Sequence, residues 1–80
     1  MLIEIYSKDN CKFCDLAINQ ANNSGVDNVV IINKLGEDFT REELLIAFPL
    51  AKTYPQLKID GKSIGGWTEF KNMSTSNTGS

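Results

Sequence analysis

Apolar and polar positions along this chain change their period several times, and each change marks an element. Leu2-Ile3-Glu4-Ile5-Tyr6 is a short, mostly apolar, β-prone run that predicts a buried strand. Ser7 to Asn10 form a polar turn, with Asn10 placed to cap a following helix and Asp15 suited to its first turn. Cys14, Ala17, Ile18 and Ala21 then recur at helical spacing, one stripe to lay on a sheet. Asn22-Asn23-Ser24-Gly25 ends that helix, with Gly25 expected as the C-cap. Val29-Val30-Ile31-Ile32 is β-branched without alternation, which predicts a strand covered on both faces. After a polar loop, Thr40-Arg41-Glu42-Glu43 fits a capping box, with Leu44, Leu45, Ala47 and Phe48 as the expected buried positions and Pro49 as a stop. Gln56-Leu57-Lys58-Ile59 and Lys62-Ser63-Ile64 flank Asp60-Gly61, a two-residue hairpin signal. Gly65-Gly66 breaks the strand, and Trp67-Thr68-Glu69-Phe70 opens a short third helix.

The order β-α-β-α-β-β-α follows from the pattern alone. A crossover helix makes the first two strands parallel and the hairpin makes the last two antiparallel, so the expectation is an α/β domain with a four-stranded mixed sheet and helices on both faces. Residues 1–73 make the domain. Residues 74–80 are Ser, Thr, Asn and Gly without periodicity and are expected to form a disordered polar tail.

Eighty residues suffice for one modest core and not for two. A net charge of −2, with basic residues scattered along the chain, gives no electrostatic case for nucleic acid. No apolar run approaches the roughly 20 residues of a membrane span, and the N-terminus lacks a signal-peptide pattern, so a cytoplasmic monomer is expected. In that reducing compartment a lone cysteine pair points to catalysis or metal binding rather than to a structural staple.

That pair is Cys11-Lys12-Phe13-Cys14, at the start of the first helix. The unpaired N–H groups and positive dipole end there favour a thiolate, the form that attacks disulfides. Cys11, the more N-terminal, is the expected nucleophile. Cys14, one turn on, can resolve a mixed disulfide on Cys11, its own side chain pointing partly into the core. Two other readings of the spacing stand. The pair can be inert core thiols, or it can hold metal; with no histidine and no third cysteine, one chain cannot close a four-ligand site from Cys and His, which leaves a metal or iron–sulfur cluster shared between two chains.

The element order with C-x-x-C opening the first helix resembles the thioredoxin fold. Thr53-Tyr54-Pro55 resembles the T-V-P segment of glutaredoxins, and Ile64-Gly65-Gly66-Trp67-Thr68-Glu69 resembles their I-G-G-x-x-[DE] segment. With Ile5-Tyr6-Ser7-Lys8, the resemblance to the small dithiol glutaredoxins of bacteria and their viruses covers residues 1 to about 71. It implies a cis-Pro55 beside the cysteines and glutathione as co-substrate, with no bound prosthetic group. The backbone of Tyr54 would then pair with the glutathione cysteine, and Gly66 with the N–H groups of Trp67 and Thr68 would receive the γ-glutamyl carboxylate. Lys8 and Lys52 are candidates for the glycyl carboxylate, Phe13 is an aromatic wall, and Glu69 occupies the family's acidic position. Lys12 and Phe13 depart from the common C-P-Y-C, and Lys12 adds a positive charge near the thiolate. Trp67 is expected at an exposed rim rather than in the core. The resemblance implies reduction of protein disulfides and glutathione mixed disulfides, ribonucleotide reductase being one candidate substrate. Its rivals are a hydrogen donor served by thioredoxin reductase and a glutathione-ligated iron–sulfur carrier.

Overall fold

The computed structural model describes residues 1–25 and 27–79, with side chains described as far as Met73. The elements are β1 (Leu2–Ser7), α1 (Lys12–Asn22), β2 (Val29–Lys34), α2 (Arg41–Ala47), β3 (Gln56–Ile59), β4 (Lys62–Gly65) and α3 (Trp67–Gly79). Helical backbone therefore runs on through the segment expected to be a disordered tail. The side chains of 74–79, and Ser80 altogether, lie outside the described residues.

The sheet order is β2-β1-β3-β4, with β1 parallel to β2 and antiparallel to β3, and β3 antiparallel to β4. Alternation along β1 divides the core. Ile3 and Ile5 join Leu57, Ala17 and Ala21 of α1 and Phe70 of α3 on one face, with Ile18, Val30 and Trp67 packed against them. Tyr6 points to the other face, where Phe39, Leu44 and Phe48 gather with Leu35, Ala51 and Tyr54. The capping box forms as expected: Glu43 N–H donates to Thr40 Oγ1 at 3.2 Å, and Thr40 N–H donates to Glu43 Oε1 at 2.9 Å. The hairpin turns at Asp60 and Gly61, both at positive φ.

The structure corrects several local expectations. β2 is an edge strand with β1 as its one neighbour, so Val29, Ile31 and Ile32 stay 58%, 42% and 44% exposed instead of being covered on both faces. The cluster on the Tyr6 face collects at the C-terminal end of β1 and does not reach them. Asn10 adopts φ 54°, and the N-cap of α1 is Cys11, in extended conformation. The C-cap of α1 is Asn23, whose N–H bonds back to the last carbonyls, so Gly25 is not needed there.

Tyr6 lies edge-on to Phe39 and Phe48, with ring centroids 5.2 and 5.1 Å away. Burial, and secondarily the charge of Glu4, raise its phenol pKa above 10.0. A folded pKa above the unfolded one means stability that is complete below about pH 10 and is lost as pH rises through the folded value. Urea midpoints of the native protein should therefore fall between pH 9.5 and about 11. The fall should be shallower for Tyr6→Phe, which keeps the ring contacts and removes the titration. Equal slopes would show that Tyr6 does not couple to folding.

Candidate active site

Strand register gathers the site at one end of the sheet. Ser7 at the end of β1 pairs with Lys34, Tyr6 pairs with Gln56 at the start of β3, and Leu57 pairs with Gly65 at the end of β4. The loop 8–11, the segment 53–55 and the start of α3 therefore emerge side by side at the carboxyl ends of the parallel strands, where open α/β sheets bind ligands.

Cys11 and Cys14 form a disulfide with Cα atoms 5.2 Å apart. Cys14 N–H donates to Cys11 Sγ at 3.2 Å, so the sulfur sits where a helix cap accepts its bond. Cys14 is 1% exposed and packed inward, as expected from its place in the helical stripe, whereas Cys11 lines the surface cleft. Asp9, two residues before Cys11, is turned away by a 2.7 Å ion pair to Lys34. The hydrogen bond to Asp9, then the charges of Asp9 and Glu37, raise the Lys34 pKa.

The Tyr54-Pro55 peptide is cis and Pro55 is fully buried. Buried Gln56 steadies this segment, its Nε2 donating to the Thr53 carbonyl at 2.8 Å. Lys8 Nζ stands 5.4 Å from the Tyr54 ring centroid, a cation–π contact that ties the first loop to the second. At the start of α3, Glu69 Oε1 accepts from Gly66 N–H at 2.9 Å and so acts as a cap. Gly65 sits at φ 107°, and a Cβ at Gly66 would stand 3.0 Å from the Pro55 carbonyl oxygen. Gly66 thus packs closely on the proline segment. Gly66→Ala must push these two segments apart and should cost about 1–3 kcal/mol. Thermal unfolding would measure it, and an unchanged midpoint would show that the segments yield freely.

Two cavities share the wall formed by Phe13, Thr53 and Tyr54. The larger, about 700 Å³, also takes in Lys8, Cys11 and Lys52; the smaller, about 250 Å³, takes in Gly66, Trp67, Thr68 and Glu69. The fold thus brings every residue singled out from the sequence to this surface, save Cys14 and Pro55, which are buried behind it. Trp67 is half-buried against the main core rather than standing free at the rim, although it lines the smaller cavity.

Sequence reasoning missed the α2 wall. Arg41, Leu44 and Leu45 line the larger cavity, and Leu45, expected to be buried, is 41% exposed there. Basic residues that look scattered along the chain also converge: Lys8, Lys12, Arg41 and Lys52, half of the eight, line the larger cavity, and among the described residues no acidic one does. Arg41 carries no local signal of this, because only the packing of α2 decides which way its first turn faces.

A C-x-x-C disulfide capping the first helix, a cis-proline segment beside it and this sheet order define a thioredoxin-like dithiol domain. The glutaredoxin family model matches residues 3–64, and the chain belongs to the glutaredoxin family. Among solved structures, reduced Escherichia coli glutaredoxin matches with 28% identity over 100% of both chains and a TM-score of 0.75. The oxidised Escherichia coli protein matches with 26% identity over 100% of both chains and a TM-score of 0.72. Glutaredoxin 1 from Francisella tularensis, complexed with cacodylate, shares the fold at 20% identity, with a TM-score of 0.74 over 99% of this chain and 98% of its own. No curated protein sequence matches. The family and the C-x-x-C pair support a thiol–disulfide oxidoreductase. Among the described residues, no helix is long and apolar enough to cross a membrane.

Proposed function

We propose that this glutaredoxin is a glutathione-dependent oxidoreductase that reduces protein disulfides and glutathione mixed disulfides. The observation that carries this reading is the pair of cavities meeting at Phe13, Thr53 and Tyr54, which makes one groove from Cys11 to the start of α3. A tripeptide with a central cysteine fits that course. Its cysteine lies along the Tyr54 backbone beside Pro55, its γ-glutamyl carboxylate meets the Trp67 and Thr68 N–H groups with the Thr68 hydroxyl, and its glycyl carboxylate faces Lys8 or Lys52. Glu69 positions the helix start by capping Gly66.

In the reduced protein the Cys14 N–H and the helix dipole favour the Cys11 thiolate. That thiolate attacks one sulfur of a substrate disulfide, forming a Cys11 mixed disulfide and expelling the other sulfur as a thiolate. Cys14 thiolate then attacks Cys11 Sγ, forming the Cys11–Cys14 disulfide and releasing the second substrate thiolate; where the attached group is glutathione, a free glutathione thiolate attacks that glutathione sulfur instead, forming glutathione disulfide and releasing the Cys11 thiolate. Two glutathiones, each giving up one electron and one proton overall, return the Cys11–Cys14 disulfide to the dithiol and leave as glutathione disulfide. A cytoplasmic monomer acting in this way would accept ribonucleotide reductase as one candidate substrate.

The test is NADPH oxidation coupled through glutathione reductase, with a small glutathione mixed disulfide as substrate. Glutathione-dependent turnover is expected. Reduction by thioredoxin reductase alone would favour the thioredoxin-type donor, and a visible absorption band in the purified protein would favour a shared iron–sulfur cluster.

A further inference from the structure

The cationic cleft holds more positive charge than glutathione needs. Glutathione carries two carboxylates and one ammonium. On the reading above, which this inference rests on, the start of α3 takes one carboxylate and Lys8 or Lys52 the other. Arg41, Lys12 and one of those two lysines remain, on a chain whose net charge is −2. Asp9 is paired with Lys34, and Glu43 and Glu69 accept hydrogen bonds from the Thr40 and Gly66 N–H groups. Among the described residues, no acidic side chain lines the larger cavity with these cations.

Arg41 and Leu45 are one helical turn apart on α2 and line the same cleft wall, with exposed Phe13 also lining it. Arg41 and Leu45 border the larger cavity and not the smaller one at α3. With glutathione spanning the two cavities from α3 to Lys8 or Lys52, the other half of a mixed disulfide is left the α2 side of the larger cavity, with this wall. Its chemistry is a cation beside exposed apolar surface.

We propose that the α2 wall of the cleft, Arg41 and Leu45 with Lys12, docks an acidic polypeptide segment, with an apolar residue, next to the reactive sulfur of the protein substrate. Charge complementarity selects the partner, and the sulfur chemistry at Cys11 requires it to bear a cysteine. Docking raises the encounter rate and weakens as salt screens the charges.

The test uses three synthetic peptides, each with one glutathionylated cysteine and one leucine, flanked by Glu, Gln or Lys. Deglutathionylation is measured at low and high salt with the native protein, Arg41→Gln and Arg41→Glu. At low salt the Glu peptide should show kcat/KM about tenfold above the Gln peptide, the order expected of two or three exposed ion pairs, with the Lys peptide below both. High salt should shrink the spread, and Arg41→Glu should bring the Glu-to-Gln ratio to about one or lower. Arg41 is exposed, and Arg41→Gln, which adds no repulsion, should lie between. Equal kcat/KM for the three peptides with turnover intact, or a preference unmoved in both variants, overturns the docking surface alone. Failure to turn over any peptide and the small glutathione disulfide overturns the glutathione reading, and this proposal with it.

Discussion

Cys11→Ser should lower glutathione-coupled turnover by about 10³-fold or more, while Cys14→Ser keeps activity on a small glutathione mixed disulfide within about tenfold of the native protein. Cys11 lines the cleft at 9% exposure and Cys14 is 1% exposed behind it, so Cys11 meets an incoming disulfide first. A serine hydroxyl in its place stays protonated and attacks no sulfur, and the inward thiol cannot replace it. Loss of Cys14 is tolerated for the small substrate because free glutathione resolves the Cys11 mixed disulfide. Reduction of an intramolecular protein disulfide should be lost in Cys14→Ser, since there the resolving thiol must come from the enzyme. Initial rates of NADPH oxidation for the three proteins on both substrates settle the roles. Activity that survives Cys11→Ser and dies with Cys14→Ser would reverse them.

Phe70→Ala should remove about 3–5 kcal/mol of stability, a large share of the roughly 4–12 kcal/mol expected of an 80-residue domain. Phe70 is 4% exposed and packs with Ile3, Ile5, Ala17, Ala21 and Leu57. It is thereby the anchor that fastens α3 to the sheet and α1, and its N–H also closes the first turn on the Gly66 carbonyl at 3.1 Å. The consequence for function follows from the same geometry. Gly66, Trp67 and Thr68, assigned to the γ-glutamyl carboxylate, are held in place by the packing of Phe70. Phe70→Ala should therefore raise KM for glutathione more than it lowers kcat, besides lowering the urea midpoint. Trp67, the one tryptophan, sits half-buried at this junction, so its fluorescence reports the transition directly. An unfolding free energy within about 1 kcal/mol of the native protein's would show that α3 is fastened by something else.

The chain's element order was legible because each element carries its own local signal. The Thr40–Glu43 box, the Asp60-Gly61 turn and the helical stripe at Cys14, Ala17 and Ala21 act over three or four residues, and all three form in the structure. The motif residues of the site were legible for a similar reason, since the C-x-x-C pair and the Thr-Tyr-Pro and Gly-Gly segments are each contiguous. Two expectations failed where contiguous residues do not hold the answer. Val29 to Ile32 are apolar enough for a central strand, but sheet position depends on which strands pair, and β1 and β3 left β2 at the edge. Asn10 has good capping chemistry, but its left-handed backbone passes the cap to Cys11, whose sulfur accepts the bond.

The sequence by itself thus determined the elements, their order, the dithiol at the mouth of the first helix and the family resemblance. Tertiary structure decided which surfaces meet. Lys8 and Lys12 are far from Arg41 and Lys52 in the chain, and only strand register and the packing of α2 place them around one cleft. Whether Leu45 is core or cleft wall was likewise settled by neighbours distant in the chain. Hydrogen bonding along the backbone and apolar periodicity are written locally. The electrostatic field of a cleft is a sum over residues that folding alone brings together.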